Sequence, residues 1–212
     1  MSLYLNRNED FSNYVNDTIF IDKSNLITIT NNNIRKPSSK FMCVTRPRRF
    51  GKTMALSMLN AYYSKGCDSL SLFDKLNISN DSSYLEHLNK HNVIWIDMAS
   101  LYTDIRDKND FFKELETNLL DDLNEAFPNV LKEMDNTISK AIIRINSKLN
   151  ERFIFLIDRA IVFPKRRGRV IHIYLSLVPN KELHSLIRLD LSIKIRALLY
   201  SLNLSLFLFK YK

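Results

Sequence analysis

The sequence predicts an α/β fold with three layers, α/β/α, around a mostly parallel sheet that is incomplete toward the C-terminus. Three observations predict it. Short apolar runs near 41–45, 93–97 and 153–158 read as strands. Two of them, Val93-Ile94-Trp95-Ile96 and Phe153 to Ile157, are unbroken and each closes on an aspartate. Such runs suit parallel strands covered on both faces. Between the strands lie stretches of helical periodicity, the alternation that builds βαβ units.

Residues 1–40 read as an entry segment. Phe11, Tyr14 and Val15 form one apolar face. Leu26, Ile27 and Ile29 suggest a second short helix, and Asn31-Asn32-Asn33 and Pro37-Ser38-Ser39 are breakers. Phe41 to Val44 then reads as a buried strand that also carries Cys43. A helix follows over 54–65, with Gly66 as its terminating residue. Ser69 to Ser83 reads as a loop anchored by Leu72, Phe73, Leu76 and Ile78, and Tyr84 to Lys90 as a short helix. Asn109 to Ala126 is the best amphipathic helix, with Phe111, Phe112, Leu115, Leu119, Leu120, Leu123 and Phe127 at three- and four-residue spacing. Asp110 caps it and Pro128 ends it. Glu114, Glu116, Asp121 and Asp122 read as its solvated side. A further helix spans Ile138 to Leu149, with Ile138, Ala141, Ile142, Ile145 and Leu149 as its core stripe.

A chain of 212 residues with 45% hydrophobic and 25% charged residues is one domain with an extension. Two cysteines make neither a disulfide framework nor a metal site, which points to a reducing, cytoplasmic setting. The polar N-terminus lacks a signal-peptide pattern, and no apolar run approaches the ~18 residues of a membrane span. The net charge of +8 is uneven: residues 159–212 carry +9 and residues 1–158 carry −1. A basic chain suggests nucleic acid, but here that argument reaches the last quarter alone.

The richest stretch is Arg46-Pro47-Arg48-Arg49-Phe50-Gly51-Lys52-Thr53, set between a strand and a helix. It is a variant of the P-loop, G-x-x-x-x-G-K-[ST]. In that motif backbone N–H groups wrap phosphates, the lysine neutralises them, the hydroxyl binds Mg²⁺ and the helix N-terminus faces the anion. Gly51, Lys52 and Thr53 fit. Arg46 stands where the first glycine belongs, and Pro47 removes a backbone donor. The alternative is a basic surface turn before an ordinary helix. Phe153 to Asp158 has the Walker B form, a buried strand ending in a carboxylate for Mg²⁺; the alternative is a capping aspartate. Asp97 ends its strand where open α/β sheets bind ligands, and reads either as a polar group near a nucleotide or its water, or as a helix cap.

TRPRRFGKT, preceded by FIDKS (Phe20 to Ser24) and followed by LSML (Leu56 to Leu59), resembles the bacterial AAA-ATPase-like family, as do LFDKLNI (Leu72 to Ile78), VIWIDMA (Val93 to Ala99) and FIFLID (Phe153 to Asp158). The resemblance covers about residues 10–158. It implies a P-loop NTPase domain that binds ATP with Mg²⁺ and hydrolyses it in the parent family. Arg46 to Thr53 then bind nucleotide, and Thr53 and Asp158 hold the metal. Arg48 and Arg49 are candidates for further phosphate contact. The resemblance also places the Asp22-Lys23-Ser24 motif near the nucleotide, packing the entry segment on the core; the alternative is a surface salt bridge or cap. Members usually run on into a PD-(D/E)XK nuclease-like domain, which nothing here matches.

One residue past Asp158 the pattern breaks. Many P-loop ATPases place a glutamate there to polarise water. Arg159 cannot act as a base, since a guanidinium stays protonated. The domain division is therefore 1–40, an entry segment; 41–158, the P-loop core; and 159–212, a divergent basic tail. Either the reading frame changes at Asp158 and the chain is truncated, or the tail is genuine, with a strand over Val170 to Leu175, a helix over Leu183 to Leu202 and a strand over Leu204 to Phe209. The expected function is Mg-dependent ATP binding with little or no turnover. Two alternatives are a non-catalytic, nucleotide-dependent interaction module and nucleic-acid binding through the tail, whose Pro164 to Arg169 run is otherwise a basic turn. No catalytic base and no protein partner can be named.

Overall fold

The computed structural model describes residues 4–6, 11–34, 36, 39, 41–46, 49–97, 111–162 and 167–177. Their elements run α1 (Phe11–Val15), α2 (Asn25–Asn31), β1 (Phe41–Arg46), α3 (Lys52–Tyr63) and α4 (Leu70–Phe73). A 3₁₀ turn (Asn77–Asn80), α5 (Tyr84–His87), β2 (Asn92–Asp97), α6 (Phe111–Ala126), α7 (Ile138–Leu149), β3 (Phe153–Val162) and β4 (Arg167–Leu177) follow.

The four strands form one sheet in the order β1-β4-β3-β2. β2 and β3 are parallel, with Asn92 beside Phe153 and Asp97 beside Asp158. β4 is antiparallel to both β1 and β3. β1, β2 and β3 therefore share one direction and β4 opposes them. This corrects the expectation of a mostly parallel sheet. The reason lies at Asp158. The strand does not end there but runs on to Val162 and returns as β4. A connection that short joins antiparallel neighbours, since a parallel partner needs a crossover of a dozen residues or more. β4 includes the expected Val170 to Leu175 strand and Arg167 to Arg169 of the basic run. The expected helix over 183–202 and strand over 204–209 lie outside the described residues.

Side-chain alternation sorts β2 and β3 between two cores. Ile94, Ile96, Phe153, Phe155 and Ile157 face α6 and α7, where they meet Leu115, Leu119, Leu123, Ala141, Ile142 and Ile145. Val93, Trp95, Ile154 and Leu156 face α3, with Phe11, Ile27, Phe73, Ile78 and Tyr84 around it. Helices thus cover both faces of the β2–β3 pair. α3 is buried on nearly all sides, from Ala55 to Tyr63, with Ser57 and Asn60 among the buried residues. The exposed edge of β2 is covered by Tyr4 to Asn6. Leu5 bridges to Ile94, and the Asn6 amide donates to the Val93 carbonyl at 2.8 Å. Covering an edge in this way removes a template for wrong pairing.

Several expectations need correction in detail. β1 lies at the sheet edge, not in the core: Met42 and Val44 are half-buried, and Cys43, on the other face, is exposed. Leu149 is 48% exposed, because Asn150 turns the chain left-handed just after it. Asn31 closes α2 rather than breaking the chain, and its side chain is buried. The acidic side of α6 is not all solvated. Asp122 is buried and accepts the Tyr4 amide at 2.7 Å, and Glu116 accepts the Ile138 amide at 3.1 Å, capping the next helix. The proposed cap Asp110 and the side chains of Phe111 and Phe112 lie outside the described residues.

Candidate functional site

The site forms where α3 begins beside β3. Gly51 precedes α3 in the left-handed region, at φ 67° and ψ 35°. Only glycine adopts that conformation without strain from a Cβ. Arg49, two residues earlier, has φ 67° as well. Two left-handed residues within three positions curl the backbone tightly, the way anion-binding nests turn successive N–H groups to one side. α3 then runs twelve residues, so its positive end lies at Lys52 and Thr53.

Lys52 is 7% exposed, an unusual burial for a lysine. Thr53, in the first turn, donates its hydroxyl to Asp158 Oδ2 at 3.0 Å. Asp158 is 4% exposed. The strand pattern explains the meeting: Asp158 follows Ile154 and Leu156 on the α3 face of β3. By the same alternation Asp97 follows Val93 and Trp95 on that face of β2, in register with Asp158. The two carboxylates therefore occupy neighbouring positions on one side of the sheet.

The structure brings Gly51, Lys52, Thr53 and Asp158 to one place. Phe50 is 59% exposed and Arg49 is exposed. Pro47, Arg48 and the Arg46 side chain lie outside the described residues.

The donor chemistry fits Mg²⁺. A hydroxyl and a carboxylate are hard oxygen ligands of the kind that ion takes. The Thr53 proton is used toward Asp158, so the hydroxyl lone pairs point away from the carboxylate. Among the described residues no three His, Cys, Asp or Glu side chains converge as a metal cage. Mg²⁺ beside a nucleotide needs none, since phosphate oxygens and waters complete its shell.

Lys23 sits against this loop, and Asp22 and Ser24 against the 77–78 turn, contacts that spacing does not reveal. Lys23 Nζ donates to the Phe50 carbonyl at 2.6 Å. Asp22 accepts the amides of Ser24 at 2.7 Å and Asn77 at 2.8 Å. The buried Ser24 hydroxyl accepts the Ile78 amide at 3.0 Å. The segment joins the Gly51 loop to the 77–78 turn, and the cap half of the alternative also describes Asp22, which accepts the Ser24 amide just before α2. The sequence signal is the Asp22-Lys23-Ser24 motif, which the resemblance sets near the nucleotide with the entry segment packed on the core.

Beyond the site, α2 is bonded to α3. Tyr63 Oη donates to Asn31 Oδ1 at 2.6 Å and lies 2.6 Å from Thr30 Oγ1, while Tyr62 Oη donates to the Tyr84 carbonyl at 2.7 Å. Burial pushes both phenols above their ordinary value. No described helix is long and apolar enough to cross a membrane.

A family model described as Predicted AAA-ATPase matches residues 9–160. No curated protein and no solved structure matches the chain.

Proposed function

We propose, from the premise that this chain belongs to the predicted AAA-ATPase family, that it binds ATP with Mg²⁺ through a P-loop NTPase core. The observation that carries this reading is the 3.0 Å bond between Thr53 and Asp158. It joins the two hard-oxygen side chains that a P-loop and a Walker B strand contribute to one ion. In this reading the N–H groups at the start of α3 and the Lys52 ammonium hold the β- and γ-phosphates, Gly51 lets the backbone approach them, and Thr53 and Asp158 hold Mg²⁺. Arg46 to Phe50 complete the loop. The ion, when bound, neutralises phosphate charge.

The activity proposed is binding with little or no turnover, because Arg159 occupies the position where a water-polarising glutamate is usual. Hydrolysis is a second reading, and Asp97 favours it: a carboxylate beside Asp158 on the α3 face is placed to accept a proton from water. Phosphate release abolished by Asp97→Asn, with ATP binding retained, would establish it.

The family match ends at residue 160, and the basic excess starts at Arg159. Residues 159–212 are read as a divergent tail. Resequencing the coding DNA across codon 158 and translating all three frames tests whether that tail is in frame.

ATP affinity in Mg²⁺ against affinity in EDTA tests the binding reading. Wild type should bind more tightly with Mg²⁺, and Asp158→Ala should lose most of that gain. Equal affinity in both media for wild type would overturn the assignment of the ion to Thr53 and Asp158.

A further inference from the structure

We propose that Lys23 is a positioning residue for the phosphate-binding loop, holding the Phe50–Gly51 peptide so that its N–H, and not its carbonyl, faces the phosphates; this rests on the nucleotide reading above.

In a trans peptide the C=O and the following N–H point in opposite directions. Lys23 Nζ holds the Phe50 carbonyl at 2.6 Å, so the Gly51 N–H points away from Lys23. Were that peptide to turn over, a carbonyl oxygen would replace a donor in front of an anion. Two sequence features of the loop bear on this. Its first P-loop glycine is replaced by Arg46, and Pro47 contributes no N–H. The Phe50 ring is 59% exposed and does not anchor the loop by packing. Gly51 itself, being glycine, leaves the neighbouring torsions free.

Lys23 is well placed for the task because its own backbone is fixed. On either side of it, Asp22 and Ser24 bind the Asn77 and Ile78 amides, and the Lys23 carbonyl accepts the Leu26 amide at 2.9 Å at the start of α2. The ammonium is thus carried on a segment anchored independently of the loop. It also occupies the space beside Gly51: a Cβ added there would lie 2.5 Å from Lys23 Nζ. A larger residue at 51 would displace the ammonium from the carbonyl. The glycine therefore serves two ends, the left-handed backbone and room for Lys23.

Isothermal titration of Mg-ATP into wild type, Lys23→Met, Lys23→Arg, Lys52→Ala and Tyr63→Phe tests this, with a melting midpoint for each apo protein. Methionine keeps an unbranched apolar stem as far as the terminal carbon and removes the ammonium donor. A bond to a charged donor corresponds to roughly tenfold in affinity, so Lys23→Met should bind about tenfold more weakly. Lys23→Arg, which keeps a cationic donor, should recover most of that loss. Tyr63→Phe lowers stability without touching Phe50 and should bind as wild type does. The proposal is overturned if Lys23→Met binds as wild type does. It is also overturned if arginine is no better than methionine, or if Tyr63→Phe loses as much affinity as Lys23→Met, since general destabilisation then explains the effect. Failure of the inference alone appears as loss in Lys52→Ala with none in Lys23→Met. A wild type that takes up no Mg-ATP overturns the nucleotide reading and the inference together.

Discussion

Thr53 and Asp158, 105 residues apart in the chain, meet at 3.0 Å with the threonine donating. The bond fastens the first turn of α3 to the middle of β3. A hydrogen bond to a charged group contributes about 1.5–3 kcal/mol, and removing the threonine hydroxyl takes that donor from the buried carboxylate. Thr53→Ala should lower apo stability within that range and also abolish the Mg²⁺ dependence of ATP binding. Chemical denaturation without nucleotide, beside titrations with and without Mg²⁺, reads both effects. Loss of stability with Mg²⁺ dependence intact would confine Thr53 to a structural role.

Gly51→Ala should destabilise for two separable reasons. A Cβ at φ 67° carries the left-handed penalty of about 1–2 kcal/mol, and it meets the Lys23 ammonium. The neighbour is the far end of a flexible side chain, so the chain still folds. A fall in melting midpoint of about 2–4 °C per kcal/mol is expected at this chain length. In a Lys23→Met background the steric part should vanish, leaving the backbone part.

Tyr63 lies where α2 and α3 are bonded, and Tyr63→Phe should cost about 1–3 kcal/mol by taking the donor from the Asn31 side-chain oxygen, while Thr30 keeps its bond to the Ile27 carbonyl. Its pH behaviour follows from its burial. Burial raises the phenol above 10.0 in the folded state, so the unfolded chain releases that proton first. Stability from this group is full below pH 10 and declines as pH rises past it. Urea midpoints between pH 9 and 11 should fall less steeply in Tyr63→Phe than in wild type.

Asp135 works with the opposite sign. Burial pushes its carboxyl up, but the Arg144 guanidinium and the Lys132 amide outweigh burial and hold it below 3.8. The folded state favours the carboxylate, so this contribution is present above pH 3.8 and is lost as pH falls through the lower folded value. Acid melts between pH 5 and 2 should show a shallower loss in Asp135→Asn, which starts from a lower stability at neutral pH.

Much of this arrangement was legible in the residues because it is local. The run of ten buried or half-buried positions from Val93 to Asp97 and from Phe153 to Ile157 announced β2 and β3, and the Gly51-Lys52-Thr53 turn announced the start of α3. Ile138 to Leu149 was delimited by its apolar spacing and matches α7. What spacing could not show is non-local. The β3–β4 return depends on a strand continuing through a charged arginine, and a strand's end is set by its partner as much as by its own residues. Asp122 looked solvated because its partner, the Tyr4 amide, is 118 positions away. The bond from Lys23 to the Phe50 carbonyl involves a backbone acceptor, which leaves no signature in residue type.

The most direct measurement is the heat of Mg-ATP binding to wild type and to Lys52→Ala. Lys52 is a buried cation at the start of α3, and truncating it removes charge-assisted bonds corresponding to roughly tenfold or more in affinity. Wild type should bind saturably and Lys52→Ala should lose at least that much, with the apo fold retained. Equal binding by both proteins, or none by wild type, would contradict this.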